Sequence, residues 1–378
     1  MSASRRVAID LLYVTGRRGG TETYARELLP RMAPLLDGIE LVGLTGVRGH
    51  EAVRGWFPGP VRRMGVDAAN RASWAAAETA LVARTVARCG ADLLWCPANY
   101  GPVAGAVPRM VTVHDVIPFE YAPPGFGRVG HAVTRGLLRR AARGATRILT
   151  VSEDAARHVT DVLGVPRERI SVVPNGASRI PVPADPGSVV AGLGVPAGRP
   201  FVLSTGNRMP HKNFETLVRA LAMVPRERRP ALVVTGGPPD DPLRPLVDEL
   251  GLAGDVVLPG WVSGEALGAL HHGAALYVCP SRAEGFGMPV LDAMRMGCPV
   301  LASDIDVLRE VGGDAAAYVD TTNTAVLAGA IDAILADADG RARMREAGTA
   351  RAAGFTWDRS AKQAADVVLR MLAGERAW

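Results

Sequence analysis

Short apolar runs and helical stretches alternate along this chain, and the alternation starts twice. In the first half the apolar runs fall at residues 6–9, 39–45, 93–96, 110–113, 148–151 and 170–173. Segments of helical period lie between several of them, at 21–32, 72–88, 130–143 and 153–163. Parallel strands need a crossover, and the crossover helices cover both faces of the sheet. The stretch 177–200 is rich in Pro, Gly and small residues, and reads as a junction with room for one short helix. Beyond it the pattern restarts, with strands at 201–205, 232–235, 256–258, 276–279 and 300–302 and helices at 214–223, 242–250, 265–271 and 288–296. An amphipathic helix at 357–372 ends the chain. Two doubly wound α/β domains follow, and 378 residues are enough for both. Such domains take ligands at the carboxyl ends of their strands, so the expected site is the cleft where the two sheets face each other.

Composition narrows the class. No apolar run approaches the ~20 residues of a membrane-spanning helix, and the first ten residues lack the apolar core of a secretion signal. A cytoplasmic protein is expected. The cysteines, Cys89, Cys96, Cys279 and Cys298, form no CxxC pair and have no His at ligand spacing. They read as free thiols in a reducing compartment, with no structural zinc. Lys212 and Lys362 are the only lysines among 43 basic residues, the mark of a GC-rich bacterial genome. A lysine inside a motif therefore hints that a compact ammonium is wanted there. Residues 1–180 hold 24 Arg against 15 Asp and Glu, a net of +9. The remainder holds 19 basic and 23 acidic residues, a net of −4. An acidic partner would meet the first half.

Four motifs carry chemistry. The longest runs from Pro280 through Glu284-Gly285-Phe286-Gly287-Met288-Pro289 to Asp292. It follows a strand and opens a helix, where exposed backbone N–H groups and the helix dipole form a seat for an anion such as a diphosphate. Glu284 stands just before that seat, where a carboxylate accepts hydrogen bonds from sugar hydroxyls. The second motif is Ser204-Thr205-Gly206-Asn207-Arg208-Met209-Pro210-His211-Lys212-Asn213, whose Arg208 and Lys212 would neutralise a leaving phosphate. The third is the glycine turn Arg17-Arg18-Gly19-Gly20-Thr21. The fourth is Val113-His114-Asp115-Val116-Ile117-Pro118, at the end of a strand.

Together these motifs resemble the family 4 retaining glycosyltransferases of the GT-B fold, and the resemblance covers nearly the whole chain. It implies an acceptor-side domain at 1–180, a nucleotide-sugar domain at 181–356 and a helix at 357–378 that crosses back toward the first. It also implies a metal-independent enzyme that moves a hexose of mannose, rhamnose or glucose type from a UDP- or GDP-sugar to an acceptor hydroxyl, with retention. In this scheme the leaving phosphate itself takes the acceptor proton. Gly19 and Gly20 would approach the diphosphate, and His114 would lie beside the sugar. Arg208 and Lys212 would hold the diphosphate in the turn at Gly206. Glu284 and the backbone of Gly285, Phe286, Gly287 and Met288 would bind sugar and phosphate. The family's ribose-binding Glu is replaced here by Asp292, one methylene shorter, which puts the nucleoside contact in question.

Other features have plainer readings. Asp304-Ile305-Asp306 imitates the DxD signature of metal-dependent transferases, but an Asp at a strand–helix junction is an ordinary cap. His211, His271 and His272 have no carboxylate or Cys at ligand spacing. Residues 128–147 contain six arginines and no acid. The plain reading is a helix packed on the sheet with a solvated basic face, which brings no membrane contact. The sharper one is a surface for an anionic acceptor (sugar, lipid-linked or natural-product), peripheral to the inner face of the membrane. No aromatic platform accompanies the charge, so nucleic acid is not expected. The rival functions are a GT-B sugar-nucleotide epimerase or phosphorylase, and a non-catalytic partner of an active enzyme.

Overall fold

The structure, a computed structural model, describes residues 5–16, 19–67, 74, 77–122 and 127–375. The chain forms two compact units. Unit 1 joins Met1–Gly176 to Thr356–Trp378, and unit 2 is Ala177–Phe355.

Unit 1 is built on a seven-stranded sheet of order β3-β2-β1-β4-β5-β6-β7, parallel throughout. Its strands are β1 (Arg5–Leu11), β2 (Ile39–Thr45), β3 (Val61–Arg63), β4 (Leu93–Cys96), β5 (Arg109–Thr112), β6 (Arg147–Thr150) and β7 (Ile170–Val172). β1 runs in register with β2 from Arg5 opposite Ile39 to Leu11 opposite Thr45. Val7, Ala8, Ile9 and Leu11 are all fully buried, as a central strand covered on both faces requires. The strand order reverses between β1 and β4, so the loops after these strands border the crevice at their carboxyl ends.

Unit 2 repeats the plan with six parallel strands, order β10-β9-β8-β11-β12-β13. These are β8 (Phe201–Thr205), β9 (Ala231–Thr235), β10 (Val256–Gly260), β11 (Leu276–Cys279), β12 (Val300–Ser303) and β13 (Ala317–Val319). Here the reversal lies between β8 and β11. Ser204 Oγ donates to the Val278 carbonyl at 2.6 Å and the Thr205 and Tyr277 hydroxyls meet at 2.9 Å, fixing the two strand ends level with each other.

The sequence reading missed the edge strands β3 and β13 and the helices Thr324–Ala336 and Ala338–Ala353. β3 is Val-Arg-Arg with both arginines exposed, and β13 is only half-buried, so neither makes a buried apolar run. The helix expected at 72–88 falls partly outside the described residues. Its described part is a π-helical turn, Ala77–Leu81, followed by Val82–Cys89. The four cysteines are buried and unbridged. Among the described residues no helix is long and apolar enough to cross a membrane.

The C-terminal helix, Trp357–Leu372, belongs to unit 1 and packs against the helix Gly20–Met32. Trp357 meets Tyr24 edge-on at 6.2 Å between ring centroids. Ser360 Oγ donates to the Pro174 carbonyl at 2.5 Å, and Arg5 Nη1 donates to the Leu372 carbonyl at 2.7 Å. A Cβ on Gly176 would stand 2.3 Å from the Trp357 nitrogen, so only glycine lets the chain pass this close.

Candidate functional site

Two loops of unit 2 leave the neighbouring strands β8 and β11. The first passes from Gly206 through a 3₁₀ turn, Pro210–Lys212, to Asn213 and into the helix Phe214–Met223. The second runs from Pro280 to Gly287 and into the helix Met288–Arg295. The loops are joined twice. The Arg282 N–H donates to the His211 carbonyl at 2.7 Å. Lys212 Nζ donates to Glu284 Oε1, also at 2.7 Å. The two side chains are only 15% and 9% exposed. Burial alone would raise the Glu284 pKa; the Lys212 ammonium more than offsets it, with help from Ser281 and His211, and the acid titrates below its ordinary range. The pair is therefore ionised at neutral pH. His211 behaves oppositely: burial, and then the charge of Lys212, push its pKa down to about 4.

Gly287 turns the second loop into its helix. Its φ of 96° is left-handed, which favours glycine, and a Cβ there would lie 2.7 Å from Leu308 Cδ2, so the end of that side chain would have to shift. No side chain caps this helix. Pro289 has no N–H, and those of Val290 and Leu291 donate to the Gly287 carbonyl at 3.0 and 3.2 Å. The N–H groups with no acceptor in the helix are therefore those of Gly287 and Met288, three and four residues after Glu284. Phe286 points the other way: it is buried and meets Phe355 edge-on at 5.9 Å, so it can offer a ligand only its backbone. Asp292 Oδ1 accepts the Ser178 N–H at 2.8 Å, a bond that ties the start of unit 2 to this helix.

Arg208 differs from the expectation for it. Its Nε and Nη2 grip Asp241 at 2.6–3.1 Å. Nη1 donates to the Gly206 and Thr235 carbonyls, and Nη2 also to Val234. Arginine has five N–H donors, and all five are engaged inside unit 2. With its side chain 6% exposed, Arg208 braces the Gly206 turn from behind instead of reaching out to a phosphate. Asp241, 33 residues away, has no local motif that marks it as the partner.

The other expected residues belong to unit 1. His114 follows β5 and is buried. Its Nε2–H donates to the Pro97 carbonyl at 2.8 Å, which leaves Nδ1 as an acceptor. Burial lowers its pKa to about 4, so the imidazole is neutral. Asn99, in a left-handed conformation after β4, accepts the His114 N–H on its side-chain oxygen at 2.6 Å. The His114 ring packs edge-on against Tyr24, 4.8 Å between centroids. Tyr24 lies in the helix that opens at Gly20, with Gly19 as its N-cap. Both glycines are exposed, and a Cβ on either would meet nothing within 4 Å. Arg17 and Arg18 lie outside the described residues. Asp304 pairs with Arg309 through both oxygens. Among the described residues no group of three or more His, Cys, Asp or Glu is placed to hold a metal ion.

Comparison with known proteins gives this arrangement a family. Residues 18–178 match the description Glycosyltransferase Family 4, and residues 190–351 match Glycosyl transferases group 1. The O-antigen chain mannosyltransferase B of Escherichia coli is 31% identical over 263 residues, 67% of this chain and 68% of that protein. The chain belongs to the family 4, group 1 glycosyltransferases. A D-inositol 3-phosphate glycosyltransferase of Nocardia farcinica is 32% identical over 269 residues, 68% of this glycosyltransferase but only 60% of the relative's length. Among solved structures, sucrose-phosphate synthase from Thermosynechococcus elongatus superposes with a TM-score of 0.75 at 20% identity, covering 98% of this chain and 100% of that one. Anabaena HepE in complex with UDP-glucose gives the same TM-score and identity, covering 96% and 99%. The glycosyltransferase thus has the GT-B fold, and its two parallel sheets are the two Rossmann-like halves of that fold.

Proposed function

We propose that this chain transfers a hexosyl group from a nucleoside-diphosphate sugar to an acceptor hydroxyl, with retention at the anomeric carbon and without a metal ion. The observation that carries the reading is the buried, ionised Lys212–Glu284 pair beside the open start of the helix Met288–Arg295. A carboxylate held in its charged form accepts hydrogen bonds from sugar hydroxyls. The ammonium beside it, with the helix N-terminus, offsets charge growing on a departing diphosphate. Unit 2 is the donor half and unit 1, with neutral His114 and the Gly19–Gly20 turn, the half that meets the sugar and acceptor. Asp292 stands at the position of the family's ribose-binding Glu, where the nucleoside would lie. The names of the relatives, a mannosyltransferase and an inositol-phosphate glycosyltransferase, together with the UDP-glucose bound by HepE, favour a hexose on UDP or GDP.

The test begins with thermal melts in UDP, GDP, TDP and ADP. A nucleotide at about 100 times its Kd adds about 2.7 kcal/mol to stability, so the preferred base stands out. Transfer is then followed with the matching sugar donors. Lys212→Ala and Glu284→Ala should abolish transfer with the circular dichroism spectrum intact, and EDTA should leave the rate unchanged. Full activity in both variants would sink the assignment. Conversion of donor to an epimer without acceptor would favour an isomerase instead.

A further inference from the structure

The turn that follows β4 is built around one unusual residue. Among the described residues only Asn99 and Asn213 have a positive φ without being glycine, and Asn99 sits at 58°. A left-handed backbone is costly for most side chains and tolerated by asparagine, whose short polar group can bond nearby. The Asn99 N–H donates to the Thr112 carbonyl at 2.8 Å, which fastens the turn to the end of β5. Its side-chain oxygen reaches 15 positions along the chain and accepts the His114 N–H at 2.6 Å. The Tyr100 N–H closes the turn on the Ala98 carbonyl at 2.6 Å. A Cβ on Gly101 would lie 2.7 Å from Cys96 Sγ, so the chain beyond the turn is pressed against the end of β4.

The same turn holds the imidazole. The Pro97 carbonyl takes the Nε2–H of His114 at 2.8 Å, and Tyr24 packs edge-on against the ring. His114 is thus gripped at its backbone by Asn99 and at its ring by Pro97. A hydrogen bond at one nitrogen fixes the tautomer, so Nδ1 is left with a bare lone pair. The buried nitrogens without a partner include Nδ1 of His271 but not that of His114, which keeps contact with solvent. The titratable neighbours of the ring are Tyr24, kept protonated by burial, and Asp115, whose Oδ1 accepts the Ile117 N–H at 3.0 Å. Glycine at position 99 would meet the backbone demand but supply no acceptor. Aspartate would supply one and set a negative charge beside the ring. Asparagine satisfies the backbone, accepts the N–H and leaves the imidazole uncharged.

We propose that Asn99 is a positioning residue for sugar transfer, holding His114 so that its bare Nδ1 accepts a hydrogen bond from a hydroxyl of the bound substrate. A hydroxyl can donate to such a nitrogen and an ionised phosphate oxygen cannot. The group that His114 reads therefore belongs to a sugar or an alcohol, and not to the diphosphate. The proposal rests on the reading of unit 1 as the half that meets the sugar and acceptor.

NMR of the imidazole nitrogens in the full chain, without substrate, reads the tautomer and the pKa of His114. The wild type should carry its proton on Nε2 and titrate at about 4. Asn99→Gly keeps the left-handed backbone and removes the acceptor. It should lower kcat by up to about 100-fold at every pH, as small misplacements do, with the circular dichroism spectrum intact. Asn99→Asp restores the acceptor and adds a charge, which raises the pKa of a neighbouring histidine by about 1–3. It should keep kcat near the wild-type value at pH 8 and lose it as pH falls through about 5–7, where the wild type is still active. The idea is overturned if wild-type His114 carries its proton on Nδ1, or if Asn99→Gly transfers at the wild-type rate. Loss of stability in both variants, with the acid limb of Asn99→Asp unmoved, would overturn it equally, because that is what a purely structural role predicts. A wild type that transfers no sugar would overturn the assigned reaction instead, and the NMR measurement would still decide the positioning.

Discussion

Replacing Asp241 by Ala would leave the Arg208 guanidinium charged, buried and without its counter-ion. The two side chains are 6% and 4% exposed, and the carboxylate takes contacts at 3.0, 3.1 and 2.6 Å from the guanidinium. It also accepts the Leu243 N–H at 3.0 Å. Breaking a buried pair from one side costs about 3–5 kcal/mol, because the survivor keeps its desolvation penalty and loses the attraction that offset it. For a unit the size of Ala177–Phe355, each kcal/mol lowers the melting temperature by roughly 2–4 °C. Asp241→Ala should therefore melt about 6–20 °C lower. Arg208→Met/Asp241→Leu removes both charges together. It still deprives the Gly206 and Val234 carbonyls of their donors, at about 1–3 kcal/mol for an unsatisfied buried group. The double variant should thus fall between Asp241→Ala and the wild type. Calorimetry, paired with urea unfolding followed by circular dichroism, measures all three. A single variant within about 1 kcal/mol of the wild type, or a double variant weaker than the single, would refute the view of Arg208 as an internal brace.

Gly287→Ala combines a left-handed φ with a Cβ 2.7 Å from Leu308, so it should lose about 1–3 kcal/mol and most donor binding; urea unfolding and a nucleotide-induced melting shift measure these. His271 is buried against Tyr277, and burial lowers its pKa to about 4. Unfolded histidine binds its proton near pH 6.5. The stability this histidine confers is therefore complete above that pH and is lost as pH falls toward 4, at up to about 1.4 kcal/mol per pH unit. His114 and His211 act over the same window, so His271→Phe should make the fall in the urea midpoint between about pH 6.5 and 4 shallower without abolishing it, and an unchanged slope counts against the assignment. In unit 1, Asp10 and Glu78 are buried together and burial raises both pKa values. A raised carboxyl favours the fold below its unfolded pKa and loses that benefit as pH rises through the folded one. Glu78→Gln should consequently raise the urea midpoint at pH 8 and do little at pH 5.

The central strands were legible because both their faces are buried, so each reads as an unbroken apolar run. β8 and β11 matched their expected bounds to the residue. The edges were not legible, since Val61–Arg63 has no apolar pattern to read. In the candidate site, Lys212 stood out because lysine is rare here, and Glu284 because it precedes a glycine-rich helix start; the two are now in contact. Partners set by tertiary folding left no trace. Asp241 closes on Arg208 across 33 positions, and Ser178 on Asp292 across 114. No local spacing could reveal that Arg208 faces inward, because its neighbours in sequence are those of an outward-facing loop.

The placement of Trp357–Leu372 in unit 1 bears on how the chain is made. Unit 2 is contiguous, so all of it has left the ribosome while unit 1 still lacks the helix that covers Tyr24 and closes against Pro174. The half synthesised first is thus completed last, and it must wait through nearly two hundred residues of translation with that flank open. A message truncated just after Phe355 would release a finished unit 2 joined to an unfinished unit 1. Termination just after Phe355 should therefore yield a product that chaperones and proteases recognise by its first half.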